Sequence, residues 1–255
     1  MRNSEKPDQK FQRLALLTGK EAARAISAAK VTVIGLGGVG SWCAEALARS
    51  GIGSLTLIDN DVICASNINR QIQALENSVG QSKAEVLANR LLEINPACNV
   101  KAITERFCIR GSLEETSAYY GINDADYVID AIDSLSDKLD LIETAFLAGK
   151  TFFSSMGMAN KLDPLLIRKA DIWKTSGCVL AKRVRTGLKE RGFKGKFTTV
   201  YSEEKRSPPD ELGDTVSEKA LGSSVAVTAS AGMILASLVI TSICDNTAAS
   251  RKSHG

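Results

Sequence analysis

Histidine is almost missing from this chain: His254 is the only one, one residue from the end. Imidazole general-base chemistry is therefore not expected, which leaves carboxylates, cations, backbone amides and thiols. The six cysteines (Cys43, Cys64, Cys98, Cys108, Cys178 and Cys244) never form a C-x-x-C pair. That excludes the usual zinc-ligand spacing and fits a reducing compartment. The opening MRNSEKPDQK has no apolar core of the kind a signal peptide needs, so the expected location is cytoplasmic. A strong charge of one sign is also lacking. Lys plus Arg number 32 against 29 Asp plus Glu, a net charge of +3, which argues against a histone-like nucleic-acid binder but not against a local basic patch. At 255 residues the chain suffices for one large domain, or one domain with an appended subdomain.

What is present is alternation. Residues 19–29 read as a short amphipathic helix, 30–35 (KVTVIG) as a buried strand, and 39–50 as a helix. Then come a strand over 54–59 (SLTLID), a helix over 81–94 closed by Pro96, and a strand over 99–107. Residues 127–132 (YVIDAI) and 151–155 are further strands, with a helix over about 136–148 between them. Strands alternating with helices predict an α/β fold: a Rossmann-like, mostly parallel, doubly wound sheet with helices on both faces and a C-terminal extension.

Gly35, Gly37, Gly38 and Gly40 stand as G-x-G-x-x-G between the first strand and the next helix. Such glycines let backbone approach a phosphate at a helix N-terminus. Asp59 ends the following strand, where a carboxylate commonly holds ribose hydroxyls, and Asp61 lies two residues on. The loop alone does not choose between NAD and ATP. Arg70 and Lys83 do: a nicotinamide oxidoreductase has no use for two cations there, whereas a triphosphate must be neutralised as pyrophosphate departs. Asp130 and Asp133 end another strand at the same sheet edge, and one of them is placed to hold Mg²⁺ against phosphates. Each residue alone has a bland alternative: Arg70 as a surface ion-pair partner, Lys83 as an exposed cation, Asp133 as a helix cap.

The string GLGGVGSWCAEALARSGIGSLTLIDNDVICASNINRQ, followed by GQSKAE and DAIDS, resembles the ThiF/MoeB/HesA superfamily of ubiquitin-activating-type adenylating enzymes over about residues 10–160. FQRLALLTGKEA, LEINPACNV and the basic LAKRVRTGLKERGFKGKF extend the likeness into the C-terminal half, toward the branch that dehydrates threonylcarbamoyladenosine in tRNA. The resemblance implies ATP and Mg²⁺ as cofactors. It implies phosphate contacts from the glycine loop, Asn67, Arg70 and Lys83, ribose binding by Asp59, and a metal-coordinating or phosphate-polarising role for Asp133. It implies a homodimer in which Arg13 reaches the partner's nucleotide site. The implied reaction adenylates the substrate carboxylate and closes it to a cyclic hydantoin. A cysteine desulfurase or sulfur-acceptor partner is a further family association. The alternative is activation of the C-terminus of a small ubiquitin-like sulfur carrier. Relatives of that kind commonly carry two zinc-binding C-x-x-C pairs, which this chain lacks. Cys43 reads as core; Cys178 stays open.

Residues 1–160 are thus expected to form the ATP-binding adenylation domain, and 161–255 the C-terminal portion of the same domain. Residues 182–206 carry nine basic residues against three acids, a candidate tRNA-binding segment. Residues 207–215 read as a loop. Residues 220–244 bear no charge and would span a bilayer by length. Seven serines and threonines make them too polar for that, so a strand-like start and then a buried or dimer-interface helix is expected, with no membrane partner.

Overall fold

The apolar, β-branched runs become the strands of one sheet. The structure, a computed structural model, describes residues 9–205 and 221–252. Helices α1 (Gln12–Thr18) and α2 (Lys20–Ala28) precede β1 (Lys30–Ile34), α3 (Gly40–Arg49) and β2 (Ser54–Ile58). Next come α4 (Lys83–Ile94), β3 (Asn99–Ile103), α5 (Leu113–Tyr119), β4 (Tyr127–Asp130) and α6 (Leu135–Leu147). The chain continues through β5 (Thr151–Ser155), β6 (Ile167–Asp171), α7 (Val179–Glu190), β7 (Thr198–Ser202) and α8 (Val225–Lys252).

The strand order is β3-β2-β1-β4-β5-β7-β6. All neighbours are parallel except β6 and β7. The expected mostly parallel, Rossmann-like sheet is therefore what forms. The order reverses between β1 and β4, so a crevice opens at their carboxyl ends, where open α/β sheets bind ligands.

Three expectations need correction. Pairing of β3 ends at Ile103, opposite Ile58, so the strand is shorter than 99–107. Beyond it the chain leaves the sheet and Arg106 forks onto Asp137 near the start of α6, at 2.7 and 3.0 Å. The strand-like start of the uncharged segment is absent among the described residues: Leu221–Ser224 are irregular and α8 runs unbroken from Val225. Strands β6 and β7 were not foreseen. The loop reading of 207–215, Arg206 of the basic segment and His254 all lie outside the described residues.

Helix α8 is long and apolar enough to cross a membrane by length and composition. Here it is packed on protein. Val227, Ala231, Leu235, Val239 and Ile243 repeat every four residues and join the core against α3 and the sheet. The α3–α8 crossing is close. A Cβ added at Gly232 would lie 2.4 Å from the Val39 oxygen, on the last residue before α3.

Candidate active site

Each element that ends at the crevice delivers part of one cleft of about 1040 Å³. The glycine loop follows β1. Gly35 has φ +87°, and a Cβ there would stand 2.7 Å from the Ala131 oxygen, so only glycine fits. Gly40 does not line the cleft. A Cβ on it would lie 1.8 Å from the Gly35 oxygen, so its smallness closes the strand–helix turn. Gly37 is the opposite case: its missing side chain faces open space, with only the Gln71 amide at 3.9 Å. That is the position where backbone is free to meet a phosphate.

Asp59 caps β2 and anchors this loop. Its Oδ2 accepts from Leu36 N at 2.6 Å and its Oδ1 from Asp61 N at 2.8 Å. Burial pushes its carboxyl above the ordinary value, against the opposing pull of those two N–H groups and the Lys83 charge. Carboxylate oxygens have further lone-pair capacity, so a ribose hydroxyl can still donate to Asp59.

Lys83 opens α4, whose N-cap is Ser82. It is buried, and its Nζ meets Asp61 Oδ2 at 2.6 Å. Asp61 lines the cleft, and its carboxylate accepts from this ammonium and, at 3.4 Å, from Asn60 Nδ2. Arg70 sits beside Gly38, within 3.2 Å of where a Cβ would be. Its Nη1 donates to Ser66 O at 2.7 Å and Asn69 Oδ1 at 2.9 Å, both neutral acceptors. No carboxylate pairs with it among the described residues. Arg70 is therefore not a surface ion-pair partner; its charge is available to the cleft. Asn67 is buried, lines the cleft and turns its side-chain oxygen to Cys64 N. Residues 35, 37, 38, 59, 61, 67, 70, 83 and 133 thus converge on one cleft. Arg13 does not: it is exposed on α1 and lines no part of this cleft.

Burial separates the two acids at the end of β4 and beyond it. Asp130 and Lys138 are both fully buried and paired at 2.6 Å. Ser154 Oγ donates to the same Asp130 oxygen at 2.5 Å, and Ile132 N to the other at 3.0 Å. Asp130 is thus consumed internally, and the pair ties β4, β5 and α6 beneath the loop that carries Asp133. Removing one partner of such a pair costs about 3–5 kcal/mol. Asp133 is exposed in the cleft and its carboxylate is free to meet a ligand. No group of three or more metal-ligating side chains exists among the described residues. A single carboxylate suits Mg²⁺, which takes one or two carboxylates together with phosphates and water; it would not suit an all-protein cage.

Some supporting residues left no signal in the sequence pattern. Gln73 Nε2 donates to Leu36 O at 2.8 Å, and Gln71 is buried against the cleft with an unpartnered Oε1. Both follow Arg70; Gln73 holds the glycine loop through Leu36, while Gln71 faces the cleft beside Gly37. The far end of the cleft is made by Met156, Met158, Lys161, Cys178, Leu180 and Arg183, from the ends of β5 and the start of α7. Cys43 is fully buried, as expected for a core thiol, and burial pushes its pKa up.

A glycine-rich loop, a carboxylate ending the next strand and two cations meet at the switch point of a Rossmann-like α/β sheet, the arrangement of a nucleotide-binding class of fold. More narrowly, the chain belongs to the ThiF family, whose sequence profile matches residues 11–253. It is 41% identical over 194 residues to the tRNA threonylcarbamoyladenosine dehydratase of Bacillus subtilis, covering 76% of this chain and 74% of that one. It is 39% identical over 219 residues to the Escherichia coli dehydratase, covering 83% and 80%. The crystal structure of the E. coli enzyme in complex with ATP superposes with a TM-score of 0.83 at 35% identity, over 94% of this chain and 96% of that one.

Proposed function

We propose that this chain is an ATP-dependent dehydratase that adenylates the carboxylate of threonylcarbamoyladenosine in tRNA and closes it to the cyclic hydantoin. The observation that carries the reading is the cleft itself. It joins a triphosphate end, with Gly37, Asp59, Arg70 and Lys83, to a stretch lined by Met156, Met158, Leu180 and Arg183 near α7, within one cleft of about 1040 Å³. The relatives named above support the substrate.

ATP lies with its phosphates on the glycine loop and its ribose toward Asp59. The substrate carboxylate attacks the α-phosphorus, an O–P bond forms, and pyrophosphate leaves against Arg70 and Lys83. The ureido nitrogen then attacks the activated carbonyl carbon, loses its proton, and expels AMP. Proximity drives this ring closure, because nucleophile and electrophile share one molecule. Neither a histidine nor a covalent cysteine is needed. Mg²⁺, held by Asp133 and the phosphates, would neutralise charge on the departing group.

The active unit is a homodimer in this reading. Leu16 and Leu17 are 75% and 82% exposed on α1, three and four residues after Arg13, so all three share one face. Docking of that face brings Arg13 to a partner's cleft. The location is cytoplasmic and the tRNA partner bears the modification beside the anticodon. A sulfur-relay partner rests on family association alone. The test is incubation with ATP, Mg²⁺ and modified tRNA, followed by nucleoside mass analysis. Loss of one water is expected; an unchanged nucleoside, with adenylation of a carrier-protein C-terminus instead, sinks the reading.

A further inference from the structure

Lys161 is a buried cation that the phosphate chemistry leaves unused. It lies past the end of β5, across the switch point from Lys83, and lines the cleft while only 7% exposed. Its Nζ donates to the main-chain oxygen of Glu204, a neutral acceptor. No carboxylate pairs with it among the described residues. The other two buried lysines each have one: Lys83 has Asp61 and Lys138 has Asp130, both at 2.6 Å. The Glu204 carboxylate does not fill the role. It turns instead to the N–H groups of Leu162 and Asp163, at 2.9 to 3.1 Å.

The backbone that presents Lys161 is unusual. Asn160 has φ +55°, the only non-glycine residue with positive φ among those described. Asparagine tolerates that conformation better than most residues. Its N–H donates to Gly222 O at 2.8 Å, and the neighbouring Ser223 O accepts from Asn69 at 2.9 Å. The turn that carries Lys161 is thereby tied to the loop that carries Arg70. A buried ammonium with one neutral acceptor is costly, and an anionic ligand offsets that cost.

We propose that Lys161, on the β5 side of the cleft, binds the carboxylate of the substrate as it approaches the α-phosphorus, and so selects tRNA that bears the threonylcarbamoyl group. This rests on the function proposed above. Met156, Met158 and Leu180 supply adaptable apolar surface beside it for the modified base.

Two variants separate charge from support. Lys161→Gln keeps a donor for the Glu204 carbonyl and removes the charge; Lys161→Arg keeps the charge. Each is titrated with ATP, and with one tRNA in two forms, with and without the threonylcarbamoyl group. The parent prefers the modified form by roughly tenfold or more, the scale of a hydrogen bond to a charged group. Lys161→Gln binds both forms alike and ATP as the parent does, while Lys161→Arg keeps part of the preference. A Lys161→Gln protein that keeps the parent's preference overturns the assignment and leaves the proposed function standing. So does loss of ATP and unmodified-tRNA binding together in both variants, which marks Lys161 as a fold support. A parent without any preference also overturns the assignment, and the proposed function is then judged by the nucleoside mass alone.

Discussion

Lys83 meets Asp61 at 2.6 Å and faces the same cleft that receives phosphate, so its ammonium has two competing anionic partners. Asp61 is well exposed and Lys83 is not, which favours transfer of the buried cation to a triphosphate, the more highly charged partner. Replacing Lys83 with Ala is expected to lower adenylation by about 10²-fold or more, the scale for one preorganised charge contact. Asp61→Asn is expected to cost less, because that carboxylate acts on the nucleotide through Lys83. Single-turnover pyrophosphate release measures both; a Lys83→Ala rate within a few-fold of the parent removes Lys83 from the site. At this scale the candidate site was largely legible. The glycines, Asp59, Arg70, Lys83 and Asp133 lie in loops or at helix starts whose spacing along the chain follows the strands. Lys138 was not legible. It reads as one more charge on α6, and its burial arises only because Asp130 and Ser154 of two adjacent strands face it. Lys161 was silent for the same reason: its unpaired burial is a property of β5, β7 and the cleft together.

Helix α7 shows how a charge run divides once it folds. Arg191 pairs with Asp140 and Glu143 of α6 at 2.6 and 2.8 Å. Arg185 turns inward to the hydroxyl of Thr175. The local excess of cations is therefore smaller than the sequence count suggests, and Arg185 is no candidate for a phosphate contact. Lys182, Arg183 and Lys189 remain exposed, without ion-pair partners among the described residues, and Arg183 lines the cleft. Substituting those three with Glu is expected to weaken tRNA binding, flatten its dependence on salt and leave ATP binding intact. Unchanged tRNA affinity at about 0.1 M salt, within the screening range where such contacts are felt, retires α7 as a tRNA arm. The elements themselves were unevenly visible. Strands β1, β2, β4 and β5 announced themselves as apolar runs because both their faces are covered. Strand β6 (IRKAD) lies at the sheet edge with Arg168 and Lys169 exposed, so it has no apolar signature. Strand β7 was masked by the basic residues before it.

For the whole molecule, the proposed contact residues all line the cleft of one chain except Gly40, which closes the turn behind it, and Arg13. If Arg13 acts across a dimer, mixing Arg13→Ala subunits with Asp133→Ala subunits restores part of the activity, since one site in each mixed dimer is complete. Heterodimers that form without any rescue contradict a shared site. The central claim concerns one oxygen. In the proposed sequence the substrate carboxylate bonds to the α-phosphorus, and ring closure breaks the carbon–oxygen bond, so one carboxylate oxygen departs on AMP. The direct measurement uses tRNA whose threonyl carboxylate carries heavy oxygen, turned over once with ATP. AMP bearing one heavy oxygen is the predicted result. Unlabelled AMP, or label recovered in phosphate beside ADP, contradicts adenylation of that carboxylate by this chain.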